Sequence, residues 1–171
     1  MGMFTLKQVA VASENCPKIK DVMAKNVVTI AESDTIANAL YKMEQKHILR
    51  LPVVAENNRS AGIITKADIR AKQAEFAEMG AELPGSCQVT KIAKNAVTIK
   101  EYKNVADAYN ALNDNNVGSL VVTNEDCQVV GIITNMDICN LQAEKEAEEI
   151  ENMDEEVNLL IKKALDSIFG K

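Results

Sequence analysis

Apolar and polar positions along this chain alternate between two periods. VVTI (27–30) is a short β-branched run that predicts a strand. Ser33 and Asp34 follow as helix N-cap candidates, and Ile36, Ala39, Leu40 and Met43 then recur at helical spacing, predicting a helix to about His47. LRLPVVA (49–55) predicts a second strand, ENNRS (56–60) a turn, and AGIIT (61–65) a third strand. A second helix is predicted from Lys66 to about Met79, stopped by Gly80, with Pro84 and Gly85 in the connection beyond it.

The pattern then starts again. AKNVVTI at 24–30 returns as AKNAVTI at 93–99, and GIITKADI at 62–69 returns as GIITNMDI at 131–138, both 69 residues later and without a gap. Ala37/Ala106, Ala39/Ala108, Leu51/Leu120, Val53/Val122 and Glu56/Glu125 hold the same register. The second copy gives a strand AVTI, a helix over 103–116, a strand SLVVT, a turn NEDCQ, a strand VVGIIT and a helix from Asn135. Two copies of a β-α-β-β-α unit make an α/β (α+β) fold. Their continuous apolar strands suit a sheet covered by helices on one face and by its twin on the other.

Past the second copy the last helix is not stopped. No Gly or Pro occurs from Leu141 to Phe169, and Ile150, Met153, Val157, Leu160 and Ala164 recur at three- and four-residue spacing. Ile161, Leu165 and Ile168 widen the stripe. An apolar stripe of this kind packs on its own body or a twin subunit, or docks on a protein partner.

Charge changes the picture of this tail. Between Glu144 and Glu156 eight acidic residues stand against Lys145 alone, so the segment carries −7 of the chain's net −6 and the remainder sums to +1. The acidic face argues against nucleic acid or an anionic membrane as a partner, whereas the near-neutral body is free to bind anions. Of the 171 residues 47% are hydrophobic, too many for a disordered chain; only 4% are aromatic, too few for a base-stacking platform. No apolar run approaches the roughly 18 residues of a membrane span, and residues 1–20 lack a signal-peptide core, which predicts a cytoplasmic protein. Cys16, Cys87, Cys127 and Cys139 form no CxxC pair and His47 is the single histidine, so reduced, mostly buried thiols are expected and no metal site. There is no Walker-type or GxGxxG loop and no nucleophile–His grouping, so no catalysis is predicted.

Several of these motifs together resemble the CBS-domain pair, or Bateman module. They are the opening Asp21-Val22-Met23, the VTI strand, Arg50-Leu51-Pro52-Val53-Val54, and G-I-I-T-x-x-D-I present twice. The resemblance covers about residues 20–140 and divides the chain into an N-terminal segment (1–19), unit one (20–80), a linker (81–88), unit two (89–140) and the acidic amphipathic helix (141–171). Residues 1–18 are expected as an extra strand or a mobile arm. The resemblance implies pseudo-twofold packing of the units, two clefts that bind an adenosine nucleotide (AMP, ADP or ATP), no required cofactor, and a flat homodimer built through helices.

By this resemblance Thr65 with Asp68, and Thr134 with Asp137, match the ribose-binding motif. A carboxylate accepts hydrogen bonds from both ribose hydroxyls, and a helix start favours an anion. The same Thr-x-x-Asp spacing is also that of a capping box, and the two roles are compatible. The adenine walls would be Met23, Val28 and Ile48 in unit one, and Ile92, Val97 and Val117 in unit two. Arg50 stands where the family places a phosphate-binding arginine, although a strand-end arginine facing solvent fits equally. Its counterpart is Ser119, and Val121 replaces Pro52, so the two clefts are not expected to be equivalent. Arg50, Lys66 and Arg70 mark one cleft for a charged nucleotide, but the sequence does not say which Thr/Asp motif shares it. His47 is expected to end its helix rather than to face phosphate. The function implied is a regulatory sensor of adenosine nucleotides. The alternatives are a structural adaptor with empty clefts and a binder of S-adenosylmethionine.

Overall fold

Each repeat builds one three-stranded sheet in the computed structural model, which describes residues 16–169. The extra strand or mobile arm expected over 1–18 lies, for residues 1–15, outside the described residues. The first repeat comprises α1 (Ile19–Val22), β1 (Ile30–Ala31), α2 (Ile36–Gln45), β2 (Arg50–Val54), β3 (Ser60–Thr65) and α3 (Lys66–Glu78). The second comprises a 3-10 turn (Val89–Lys91), β4 (Thr98–Lys100), α4 (Val105–Asp114), β5 (Ser119–Thr123) and β6 (Val129–Thr134). The final helix, α5, spans Asn135–Phe169. In both sheets the middle strand pairs parallel with the first and antiparallel with the third. This is the mixed α+β architecture expected, with the duplication preserved strand by strand.

The first strand is much shorter than its apolar run. β1 covers only two residues instead of 27–30, whereas β4 pairs over three. Pro52 explains the difference. In the second sheet the Val121 amide donates to the Val97 carbonyl at 3.0 Å. Pro52 occupies the corresponding place in β2 and has no N–H to give, so pairing begins only at Ile30 and Val53.

Helix boundaries move for equally local reasons. Thr35, not Ser33 or Asp34, caps α2, its Oγ1 accepting from the Asn38 amide at 3.3 Å. Asp34 instead accepts from Asn38 Nδ2 and from the Thr35 amide. α2 ends at Gln45, so His47 follows the helix rather than ending it. It adopts a left-handed conformation at φ 52°, matched by Asn116 at φ 49° after α4. The core of the first repeat is Ile36, Ala39 and Met43 of α2 against Leu51, Val53, Ile64 and Ile69, each almost fully buried. Leu112, Leu120 and Ile133 do the same in the second.

The repeats exchange their leading segments. Ile19 and Lys20 donate backbone hydrogen bonds to Lys103 and Glu101, and Val105 donates to Pro17, so the lead of repeat one lies on repeat two. Conversely Ile36 donates to Cys87, Val89 donates to Asp34, and fully buried Val89 completes the core of repeat one. The sequence repeat is therefore not the folded unit.

The exchange has a second consequence. Lys94 pairs with Ile63 in both directions at 2.9 Å, while the equivalent bonds to Ile132 are made by Ala24 at 3.1 and 3.3 Å. Likewise Thr35 bridges Gln88 while Asn104 bridges Lys18. The leads are thus related by 70 residues where the strands are related by 69, a slip of one. Lys94 occupies a place that Ala24 takes in the other copy, although Lys25 is its partner in the aligned sequence.

One further expectation changes. Of the free cysteines Cys16 and Cys87 are half-buried, but Cys127 and Cys139 are exposed, not buried. The chain divides into two compact units after Asn135. Taken by itself, α5 is continuous as predicted. Its stripe residues Ile150, Met153, Val157 and Leu160 are each at least half exposed. No helix among the described residues is long and apolar enough to cross a membrane.

Candidate ligand-binding cleft

Thr65 is the last residue of β3 and the N-cap of α3. Its Oγ1 accepts from the Asp68 amide at 3.1 Å, and the Thr65 amide donates to Asp68 Oδ2 at 3.2 Å, closing a complete capping box. The Thr65 hydroxyl also donates to Oδ2 at 2.5 Å. Antiparallel pairing sets Arg50, the first residue of β2, directly opposite Thr65. Local hydrogen bonding therefore positions Thr65 and Asp68, and sheet register brings Arg50 to them.

A cavity of about 750 Å³ opens at this point, within the range of small-molecule sites. The first repeat contributes Leu49, Arg50, Ile63, Thr65, Lys66, Asp68 and Arg70. The second contributes Lys94, Asn95, Val97, Val117, Gly118 and Ser119. Arg50 Nη1 donates to the Gly118 carbonyl at 3.0 Å, and Lys94 Nζ lies 2.5 Å from Asp68 Oδ1. Both are contacts from one repeat to the other. Burial works to raise the Asp68 carboxyl, but the hydrogen bonds from Lys94 and Thr65 outweigh it and hold the group below the ordinary carboxylate range. Asp68 is therefore an anion, 12% exposed, beside several cations.

The question left open by the sequence is answered by this geometry: Arg50, Lys66 and Arg70 share a cleft with Thr65 and Asp68. Val97 and Val117 line that same cleft, so the apolar wall comes from the opposite repeat. The other wall candidates lie elsewhere. Val28, Ile48 and Ile92 pack against the core of the first repeat, and Met23 is buried against Gly131. Thr134 ends β6 opposite Ser119, and Asp137 is the third residue of α5. Ser119 lines the Asp68 cleft, although by alignment it stands in for Arg50.

Lys94 was not visible in the sequence as a site residue. It sits in the duplicated AKN, where alignment makes it the twin of an unremarkable Lys25. Only the one-residue slip of the leads brings it to Asp68. Among the described residues no group of three His, Cys, Asp or Glu side chains is placed to hold a metal ion.

The profile of the CBS domain matches residues 19–75 and again 89–144, and the chain belongs to that family as a tandem pair. It is 33% identical over 129 residues to a CBS domain-containing protein of Dictyostelium discoideum, covering 72% of this chain and 89% of the relative. It is 28% identical over 137 residues to the protein MJ1404 of Methanocaldococcus jannaschii, covering 80% of this chain but only 31% of that longer protein. Among solved structures it superposes on the CBS domain pair of protein MJ0100 in complex with 5′-methylthioadenosine and S-adenosyl-L-methionine. The TM-score is 0.66 with 26% identity, covering 77% of this chain and 99% of the other.

Proposed function

We propose that the chain is a regulatory module that binds an adenosine nucleotide at Thr65 and Asp68 and catalyses no reaction on it. One observation carries this reading: a half-buried carboxylate with a capping threonine, lining one cavity together with Val97, Val117, Arg50, Lys66 and Arg70. The carboxylate suits ribose hydroxyls, the valines an adenine face and the cations phosphate. That the CBS pair of MJ0100 was solved with two adenosine derivatives supports the adenosine part. The fringe of cations favours AMP, ADP or ATP over S-adenosylmethionine. Thr134 and Asp137 carry the same Thr-x-x-Asp motif in the second repeat. A homodimer in the cytoplasm completes the reading.

Thermal melting against adenosine, AMP, ADP, ATP, S-adenosylmethionine and GMP tests it. A ligand at 100 times its dissociation constant stabilises the fold by about 2.7 kcal/mol, several degrees for a chain of this length. The reading requires a shift with an adenosine nucleotide that disappears in Asp68→Ala. No shift with any compound up to millimolar concentration rejects it.

A second reading rests on the exposed stripe of α5 at Ile150, Met153, Val157 and Leu160. On it the chain is an adaptor that acts through protein contact, and Thr65 and Asp68 serve only as a cap.

A further inference from the structure

The cleft contains its own competitor for the ligand. A carboxylate offers about four acceptor sites, two on each oxygen. In Asp68 the two on Oδ2 are taken by the Thr65 amide and hydroxyl, and Lys94 Nζ takes one on Oδ1. A ribose diol donating two hydrogen bonds finds one place free. It enters fully only if Thr65 gives up its cap or Lys94 gives up its ion pair. The cap is built into the start of α3, whereas Lys94 is a 73% exposed side chain on a flexible stem. Lys94 is therefore the group that moves.

Once displaced, its ammonium needs a new anion. The other cations at the cleft leave a phosphate as the natural one. Lys66 lies 3.9 Å from Glu44, Arg50 is on the Gly118 carbonyl, and Arg70 has no ion-pair partner among the described residues. With Lys94 released, four cations face a ligand whose ribose occupies the single carboxylate. An uncharged nucleoside would leave Lys94 and Arg70 without an anion; each added phosphate gives them a partner.

We propose that Lys94 reads ligand charge, blocking Asp68 in the empty cleft and passing to phosphate when a nucleotide binds, so that the cleft selects di- and triphosphates over nucleosides. This deepens the adenosine-nucleotide reading and rests on it. It also makes the two copies unequal for a reason that no alignment contains, since the structural twin of Lys94 is Ala24.

Calorimetric titration of the full chain with adenosine, AMP, ADP and ATP tests the proposal, using the wild type, Lys94→Met, Lys94→Arg and Lys25→Met. The wild type should bind more tightly at each step from adenosine to ATP. Lys94→Met should flatten that series, with ATP about tenfold weaker and adenosine unchanged or tighter because Asp68 is freed. Lys94→Arg should restore the series, and Lys25→Met, which removes the same charge from the aligned position, should keep it. Melting temperatures of all four proteins, measured alongside, establish that each is folded. A series as steep in Lys94→Met as in the wild type overturns the role of Lys94 while leaving adenosine binding intact. A wild type that binds all four compounds equally overturns charge reading altogether. Binding of none of them overturns the adenosine reading and this proposal together.

Discussion

Arg50 and Gly118 are joined by a hydrogen bond of 3.0 Å that crosses from the first repeat to the second. It ties the β2 end that carries Arg50 to the turn before β5, at the mouth of the cleft. A ligand phosphate would compete with the carbonyl for the guanidinium, and a bidentate phosphate contact is the stronger of the two. Arg50→Met should therefore weaken ATP much more than adenosine and reduce the dependence of ATP affinity on salt. Titrations at low and high ionic strength check this; equal loss for both ligands would show that Arg50 acts only by holding the repeats together.

Asp68 serves the fold as well as the cleft. Asp68→Ala removes one arm of the capping box and leaves Lys94 unpaired. Loss of a cap costs about 1 kcal/mol, which lowers the melting temperature of a chain of this length by about 2–4 °C. Calorimetric melting without ligand should show that modest drop, while the stabilisation by nucleotide disappears completely. A cap alone predicts the first effect and not the second.

Acid should loosen the protein through the same residue. The Asp68 carboxyl lies below its ordinary value of 3.8, burial raising it less than Lys94 and Thr65 lower it. The folded state thus holds the proton less tightly than the unfolded chain. The stabilisation is complete above the unfolded value and is lost as pH falls through the lowered folded one. Asp34, also lowered, with burial opposed by the bonds from Asn38 and Thr35, adds an effect of the same sign. Urea unfolding at steps from about pH 6 to pH 3 should show stability falling below about pH 4, less steeply in Asp68→Asn.

Gly62 is held by a backbone approach. A Cβ there would stand 2.8 Å from the Lys94 carbonyl, the atom that pairs with the Ile63 amide. Gly62→Ala should push the lead of repeat two off β3, costing about 1–3 kcal/mol in urea unfolding. Because Lys94 moves with that backbone, the variant should also lose ATP-over-adenosine preference. Unchanged stability would mean that the lead is not fixed by this contact.

Pro52→Val should lengthen the shortest strand. It supplies the N–H whose counterpart at Val121 reaches Val97. Gain of a hydrogen bond and loss of the rigid ring are each about 0.5–1.5 kcal/mol and of opposite sign, so net stability should change little. Hydrogen exchange provides the readout: the new amide at position 52 should be protected like that of Val121.

Much of this protein was settled by local sequence. The duplication, the order of elements, the Thr65–Asp68 cap, the turns and the uninterrupted α5 all follow from spacing and side-chain chemistry within a few residues, the range over which caps, turns and periodic faces operate. The limits of those elements were less legible. The short β1 depends on Pro52, more than twenty positions away, because strand length is set by the partner's donors as much as by a strand's own apolar run. The assignment of residues to the cleft was decided by the tertiary structure alone. Exchange of the leading segments moved Ile92 into the first core, set Val97 and Val117 against Asp68, and slipped the leads by one residue so that Lys94, not its aligned twin Lys25, meets the carboxylate. A repeat in sequence pairs residues by their position along the chain. Which of them share a cleft is fixed by backbone pairing between segments far apart along the chain, Ile63 with Lys94 and Ala24 with Ile132, where no local rule reaches.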